Sequence, residues 1–172
     1  LVGMPGSGKS TVGRQLARRL ALGFWDTDAA FEEREGCSIR SYFDKHGEAA
    51  FRDAEQSLIA ELTLSHHGVL ATGGGAVLRE SNRHCLHDRC TVFYLRASPE
   101  DIFRRLKHDR TRPLLQVSNP LKALRDLFAI RDPLYSQTAH YVIETGRPTA
   151  STLVNMIQMQ LELSGLVQVH PD

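Results

Sequence analysis

Short apolar runs alternate with amphipathic stretches along this 172-residue chain. Leu1-Val2, Gly23 to Asp26, Gly68 to Ala71, Thr91 to Leu95 and Tyr141 to Ile143 read as five short strands. Helical periodicity fills the intervals, near 9–21, 29–45, 48–65, 79–86, 99–107, 120–135 and 150–163. Strands separated by helices predict a parallel sheet covered on both faces. Two helix starts are marked by their chemistry. Ser98-Pro99-Glu100-Asp101 supplies a capping hydroxyl, a proline in the first turn and acids that suit the helix dipole. Asn119-Pro120 repeats the device ahead of an apolar stripe, Leu121, Leu124, Leu127 and Phe128. Residues 108–119 have no periodicity and carry arginines, which reads as a mobile lid or, alternatively, an ordinary surface loop. With no repeat and no Pro/Gly-rich linker, residues 1–172 are expected to form one domain.

Composition narrows the partners. Lys and Arg total 21 against 20 Asp and Glu, so no bulk field argues for nucleic acid or membrane. No stretch is apolar enough to span a bilayer and no secretory leader is visible, so a cytoplasmic location is expected. Three cysteines without a C-x-x-C spacing agree with reduced thiols.

The richest motif is Gly3-Met4-Pro5-Gly6-Ser7-Gly8-Lys9-Ser10-Thr11, a complete G-x-x-x-x-G-K-S phosphate-binding loop. It follows an apolar dipeptide and leads into a helical pattern with Val12, Leu16 and Leu20 on one face, the context this motif requires. Glycines let backbone N–H groups turn inward around phosphates, and the helix N-terminus adds partial positive charge. Lys9 can reach the β- and γ-phosphates, and the Ser10 hydroxyl can ligate Mg²⁺. A nucleoside triphosphate ligand is therefore expected. Only Leu1 and Val2 stand where a central strand of several residues belongs, so the chain is expected to continue upstream, by a strand start or by a whole domain.

Other segments carry candidate chemistry. Asp26 and Asp28 in Phe24-Trp25-Asp26-Thr27-Asp28 share strand parity at a strand's carboxyl end, where ligands of parallel sheets sit. One could hold the metal's water shell and the other take a hydroxyl proton, or Asp28 could merely cap a helix beginning at Ala29. Arg52 lies in the helical segment 48–55 and, taken alone, reads as a solvated surface charge. Thr72-Gly73-Gly74-Gly75-Ala76 permits close backbone approach to a ligand, or a tight turn. No Asp ends the strand before it, so the usual second metal-binding carboxylate of such proteins is missing and Asp26 would take its place. Arg131-Asp132-Pro133-Leu134-Tyr135 closes the helix after the lid. The cluster His84-Cys85-Leu86-His87-Asp88-Arg89-Cys90 matches no metal-ligand spacing and reads as a helix end joined to a turn. His66-His67 reads as a helix C-terminus, Trp25 as wall packing beside the acidic pair, and the Met156/Met159 helix as a docking face.

Taken in order, GSGKST, F-x-D-T-D, the F-R of the 48–55 helix, TGGGA, RPLL and R-D-P-L-Y resemble the shikimate kinase family, over essentially the whole chain. The resemblance implies a P-loop NTPase-type α/β three-layer sandwich, with a five-stranded parallel sheet in the order 2-3-1-4-5, helices on both faces and a mobile lid at about 108–119. It implies transfer of the ATP γ-phosphate to the 3-hydroxyl of shikimate, with Mg²⁺ as cofactor and a monomeric chain. Gly6, Ser7, Gly8, Lys9, Ser10 and Thr11 match the family's phosphate-holding loop, with Ser10 on Mg²⁺ and Asp26 reaching the metal through water. Asp28 matches the aspartate that bonds the shikimate hydroxyls and is the candidate base. Arg52 and Arg131 match the arginines that grip the carboxylate, with Gly73, Gly74 and Gly75 lining that pocket. Arg112 matches the lid arginine at the transferring phosphates, and Arg105 and Arg147 fall near positions that touch the nucleotide. Planar guanidinium donors suit a carboxylate better than ammonium groups, which agrees with arginine at 52 and 131. The competing expectations are another small-molecule kinase, such as a gluconate kinase, and a ligand-sensing domain of a regulator that has lost turnover.

Overall fold

The computed structural model describes residues 1–109 and 112–167. Four short strands pair in parallel: β1 (Gly23–Asp26) with β2 (Gly68–Ala71), and β3 (Phe93–Arg96) with β4 (Tyr141–Glu144). Leu1 and Val2 lie between the pairs. On one side the Leu1 amino group donates to Leu70 O and Thr72 N to Leu1 O; on the other, Val2 N donates to Phe93 O and Leu95 N to Val2 O. The dipeptide forms a parallel bridge with Tyr94 and is too short to count as a full strand.

Seven helices alternate with these strands among the described residues: α1 (Lys9–Arg19), α2 (Thr27–Glu35), α3 (Ile39–Ser65), α4 (Glu80–Arg89), α5 (Pro99–Leu106), α6 (Pro120–Thr138) and α7 (Ala150–Leu163). Strand alternation sorts the core into two faces. Phe93 and Leu95 pack with Val12 and Leu16 of α1 and Leu153 and Ile157 of α7. Tyr94 points the other way, among Ile59 of α3, Leu86 of α4, Ile102 of α5, and Leu124 and Tyr135 of α6. A third cluster, Phe31, Phe51, Leu58 and Leu62, seals α2 onto α3. Among the described residues, no helix is long and apolar enough to cross a membrane.

The anticipated caps are present. Ser98 Oγ accepts from Asp101 N (3.1 Å) and Asn119 Oδ1 from Lys122 N (3.1 Å), each just ahead of a proline at the helix start. Three boundaries differ from the sequence expectation. The single helix expected over 29–45 is two, because Gly36 ends α2 in the left-handed region and Ser38 caps a new start. The second of these runs on to Ser65, broken only at Gly47 (φ 84°, ψ 170°). Helix α4 reaches Arg89, so His84, Cys85 and His87 are helical rather than part of a turn. Residues 110 and 111 of the expected lid lie outside the described residues. Around them, Pro113–Leu115 forms one 3-10 turn.

Candidate active site

The phosphate loop is built by the backbone. Gly6 and Gly8 take positive φ (78° and 97°), conformations that glycine adopts freely and that let loop amides turn toward an anion. Gly8 caps α1 with no side-chain bond, so the first-turn amides stay available to an anion. Lys9 is buried, and its Nζ donates to Gly3 O (2.8 Å) and Met4 O (2.9 Å). Burial lowers its pKa from 10.5 to about 8; the carboxylates of Asp28 and Asp26 oppose the drop, and Arg112 and Arg131 add to it. Four further charges thus act on the one ammonium. The Ser7 hydroxyl beside it is buried without a hydrogen-bond partner among the described residues.

Asp26 and Asp28 are placed differently from the sequence expectation. Asp28 is not on the strand but in the first turn of α2, so strand parity is not what brings the two together. The helix cap is Asp26: its Oδ1 accepts from Asp28 N (3.0 Å) and Ala29 N (3.3 Å), while Oδ2 accepts from Ser10 Oγ (2.5 Å). Two acceptor oxygens let one carboxylate start α2 and hold the P-loop serine. Ser10 and Asp26 offer hard oxygen donors beside the phosphate loop, a set that fits Mg²⁺ completed by phosphate and water. Freed from capping, the Asp28 carboxyl turns toward Gly73, where a Cβ would stand 2.5 Å from Oδ1. Desolvation, with Asp26 and Glu55 nearby, raises its pKa from 3.8 to about 6 against the pull of Lys9.

Arg52 is no surface charge. Its side chain is 14% exposed and donates from Nη1 to Glu55 Oε1 (2.7 Å), itself a buried carboxylate. Burial raises the Glu55 pKa, and Arg52 and Arg131 oppose the shift. The Arg52 guanidinium lies flat against Gly75, where a Cβ would sit 2.7 Å from Cζ. The glycine turn therefore touches both charged groups, Asp28 at Gly73 and Arg52 at Gly75. Gly74 between them packs on Pro5 of the phosphate loop and accepts from Tyr135 Oη. Arg131, one turn before Tyr135 on α6, lies near enough to act on Lys9, Glu55 and Tyr135. Arg52 Nε and Arg131 Nε are both buried without a hydrogen-bond partner among the described residues. Buried orphan donors are costly, and planar guanidiniums that carry them are suited to pair with a carboxylate.

The other three arginines singled out in the sequence have separate settings. Arg112 donates from Nε to Asp109 Oδ2 (3.1 Å) at the lid root. Arg105 donates to the Thr145 carbonyl, tying α5 to the loop after β4, and Arg147 is exposed in that loop. Trp25 differs from expectation. Its ring lies across Gly23 and Gly68 and edge-on to His66 (centroids 4.7 Å), at the opposite end of the strands from Asp28. Met156 and Met159 are exposed on α7. Among the described residues no cluster of three His, Cys, Asp or Glu could hold a metal ion.

Sequence reasoning gave no role to Glu55, Thr27, Asp132 or Tyr135. Thr27 Oγ1 accepts from Gly73 N (2.8 Å), pinning the glycine turn to α2. Only the i, i+3 spacing of Arg52 and Glu55 on one helix could have signalled the first of these.

A shikimate kinase family model matches residues 5–162, more than nine-tenths of the chain. The chain belongs to the shikimate kinase family. Relatives bearing that name include a protein of Paracidovorax citrulli, 59% identical over 170 residues (96% of this chain, 92% of that one), and a protein of Ralstonia nicotianae, 55% identical over 166 residues (96% and 87%). Among solved structures, the shikimate kinase of Acinetobacter baumannii in complex with shikimate superposes with a TM-score of 0.88 at 47% identity, covering 95% of this chain and 91% of that one. The Aquifex aeolicus shikimate kinase gives 0.83 at 34% identity, with 96% of each chain covered. These likenesses fit the α/β, NTPase-type architecture described above.

Proposed function

We propose that this shikimate kinase family member transfers the γ-phosphoryl group of ATP to the 3-hydroxyl of shikimate, giving shikimate 3-phosphate and ADP. The observation that carries the reading is the pair of buried guanidiniums, Arg52 and Arg131, which have no hydrogen-bond partner at Nε among the described residues and both act on the buried Glu55, while Asp28 lies against the same glycine turn as Arg52. Shikimate supplies what these groups lack: a carboxylate for two arginines and hydroxyls for one basic carboxylate.

In this reading Gly6, Ser7, Gly8, Lys9, Ser10 and Thr11 hold the ATP phosphates, with Arg105 and Arg147 on the nucleotide's far side. Arg52, Arg131 and the turn Gly73 to Gly75 fix the acceptor ring. Asp28 accepts the 3-hydroxyl proton as that oxygen bonds the γ-phosphorus. The bond from the γ-phosphorus to its bridging oxygen breaks, and ADP leaves with that oxygen's electrons. A carboxylate of pKa about 6 is ionised at neutral pH yet more basic than a solvated one, as a general base should be. Lys9 and Arg112 neutralise charge developing on the transferred group. Ser10, and Asp26 through water, would hold Mg²⁺, which shields the phosphate oxygens when bound. Residues 108–119 close over the acceptor and keep water from competing for the phosphoryl group.

The finer architecture is part of the same proposal. Leu1-Val2, bonded to Leu70 and Thr72 on one side and to Phe93 and Leu95 on the other, is read as the middle of five parallel strands in the order 2-3-1-4-5. In the same reading the kinase works as one domain and as a monomer. Its three free cysteines fit a reducing cytoplasm.

A coupled ADP-release assay with shikimate, gluconate and nucleoside monophosphates as acceptors tests the reading. Release dependent on shikimate alone is expected. Equal release with gluconate, or none with shikimate from folded protein, would overturn it.

A further inference from the structure

Tyr135 lies in the R-D-P-L-Y segment, and nothing in the phosphoryl-transfer scheme requires it. Yet its side chain is fully buried and its hydroxyl donates to the Gly74 carbonyl (2.5 Å), across 61 residues of sequence. Arg131 sits one turn earlier on the same face of α6. Behind the ring, Tyr94 of β3 packs against Tyr135 (centroids 5.0 Å, tilted 36°). The Tyr94 hydroxyl in turn donates to Asp132 Oδ1 (2.7 Å). Arg96, two residues along β3, grips the same carboxylate with both prongs: Nε to Oδ1 (2.9 Å) and Nη2 to Oδ2 (3.0 Å). Residue 131 is therefore flanked on α6 by two tethers, one to the sheet at Asp132 and one to the glycine turn at Tyr135. Pro133 lies between them and lacks the N–H of an ordinary helical residue, so this turn of α6 leans more on outside contacts.

We propose that Tyr135 and Asp132 are positioning residues that set the spacing between the Arg131 guanidinium and the Gly73–Gly75 turn, and so tune affinity for the acceptor's carboxylate. The inference rests on the acceptor-binding role read for Arg131 above. Arg131 also acts on the Tyr135 hydroxyl as a charge and as a hydrogen-bonding neighbour. One phenol thus stands between the arginine and the glycine carbonyl. Without the hydroxyl, the ring would still fill its cavity, but the turn and α6 would lose their direct link and Gly74 O its donor. The effect should fall on acceptor binding. The phosphate loop is held by its own backbone and by Lys9, and neither tether reaches the loop by a hydrogen bond.

Steady-state kinetics on full-length Tyr135→Phe, Asp132→Asn, Arg131→Ala and the double variant Arg131→Ala/Tyr135→Phe test this, with thermal melting alongside. Tyr135→Phe should raise the shikimate KM by about five- to tenfold with the ATP KM unchanged. Asp132→Asn should move it in the same direction, and it keeps the test decisive should Tyr135→Phe fail to fold. In the Arg131→Ala background, Tyr135→Phe should add less than about twofold, because the group it positions is gone. A raised shikimate KM in Arg131→Ala together with wild-type values in Tyr135→Phe would overturn the positioning role alone. Equal rises in both KM values, or effects of the two changes that multiply, would overturn it as well. An unchanged shikimate KM in Arg131→Ala would overturn the acceptor-site reading of Arg131 and the tethers with it.

Discussion

Replacing Gly75 by alanine separates folding from acceptor binding with one methyl group. Gly75 has φ −93° and ψ 2°, which alanine adopts without strain, so the reduced freedom of the unfolded chain by itself favours the variant by about 0.4–1 kcal/mol. The new methyl would overlap the Arg52 guanidinium, 2.7 Å from Cζ and closer still to both terminal nitrogens. That guanidinium is the far end of a flexible side chain, so it can swing aside, but leaving the buried Glu55 carboxylate without its partner offsets that gain. Its ion pair with Glu55 at 2.7 Å and its aim into the pocket would both be disturbed. Losing one charge-assisted bond to a carboxylate costs about 1.5–3 kcal/mol, or about ten- to 150-fold in shikimate KM. In the proposed reading ATP is held by the loop at residues 6–11, so its KM should not change. Coupled ADP-release kinetics at varied shikimate and at varied ATP read the two constants, and thermal melting reads stability. A folded Gly75→Ala enzyme with a wild-type shikimate KM would refute the placement of Arg52 against that turn as the acceptor's anchor.

Asp28, with its pKa raised to about 6, should make kcat/KM for shikimate fall as pH drops below about 6; a profile flat to pH 4.5 would contradict it as the base. Stability should run the other way. A carboxyl whose folded pKa lies above its unfolded value costs stability when ionised, and the cost fades as pH falls from about 6 toward 3.8. Asp28→Asn should therefore abolish turnover while stabilising the protein by about 1–3 kcal/mol at pH 8 in denaturant titrations, and a destabilised variant would count against the burial argument. Lys9, lowered to about 8 by burial, should make ATP affinity weaken above that pH, and Lys9→Met should lose ATP binding without losing the fold; ATP binding that stays level to pH 10 would refute this. Asp26→Ala should lose both the α2 cap and the partner of Ser10, lowering stability by about 0.5–2 kcal/mol and raising the Mg²⁺ concentration needed for half-maximal rate. Unchanged values for both would contradict the double use of that carboxylate.

What could be read in the sequence followed from local chemistry. The phosphate loop, the two proline-marked caps and the alternation of strands and helices are set by residues close together in the chain, and each lies near its expected place. The α2 start was misjudged because Asp26 and Asp28 are equally good capping residues by type. The choice turned on Ser10, sixteen residues upstream, which holds Asp26 at the strand end. Arg52 looked like a solvated charge because its burial depends on the glycine turn packing over it from residues 73–75. Tyr135 and Asp132 were hidden for the same reason, since their partners, Gly74, Tyr94 and Arg96, come from distant segments. Trp25 was misplaced because its two glycine neighbours, Gly23 and Gly68, open a groove at the far end of the strands.

The central claim is that Arg52 and Arg131 form one carboxylate cradle independent of the phosphate loop. Calorimetric titration of wild type, Arg52→Ala and Arg131→Ala, each with shikimate and separately with a non-hydrolysable ATP analogue, measures it without turnover. Each substitution should weaken shikimate binding by about ten- to 150-fold and leave the nucleotide affinity as in the wild type. Shikimate affinity untouched by either change, or nucleotide affinity falling in step with it, would contradict the account.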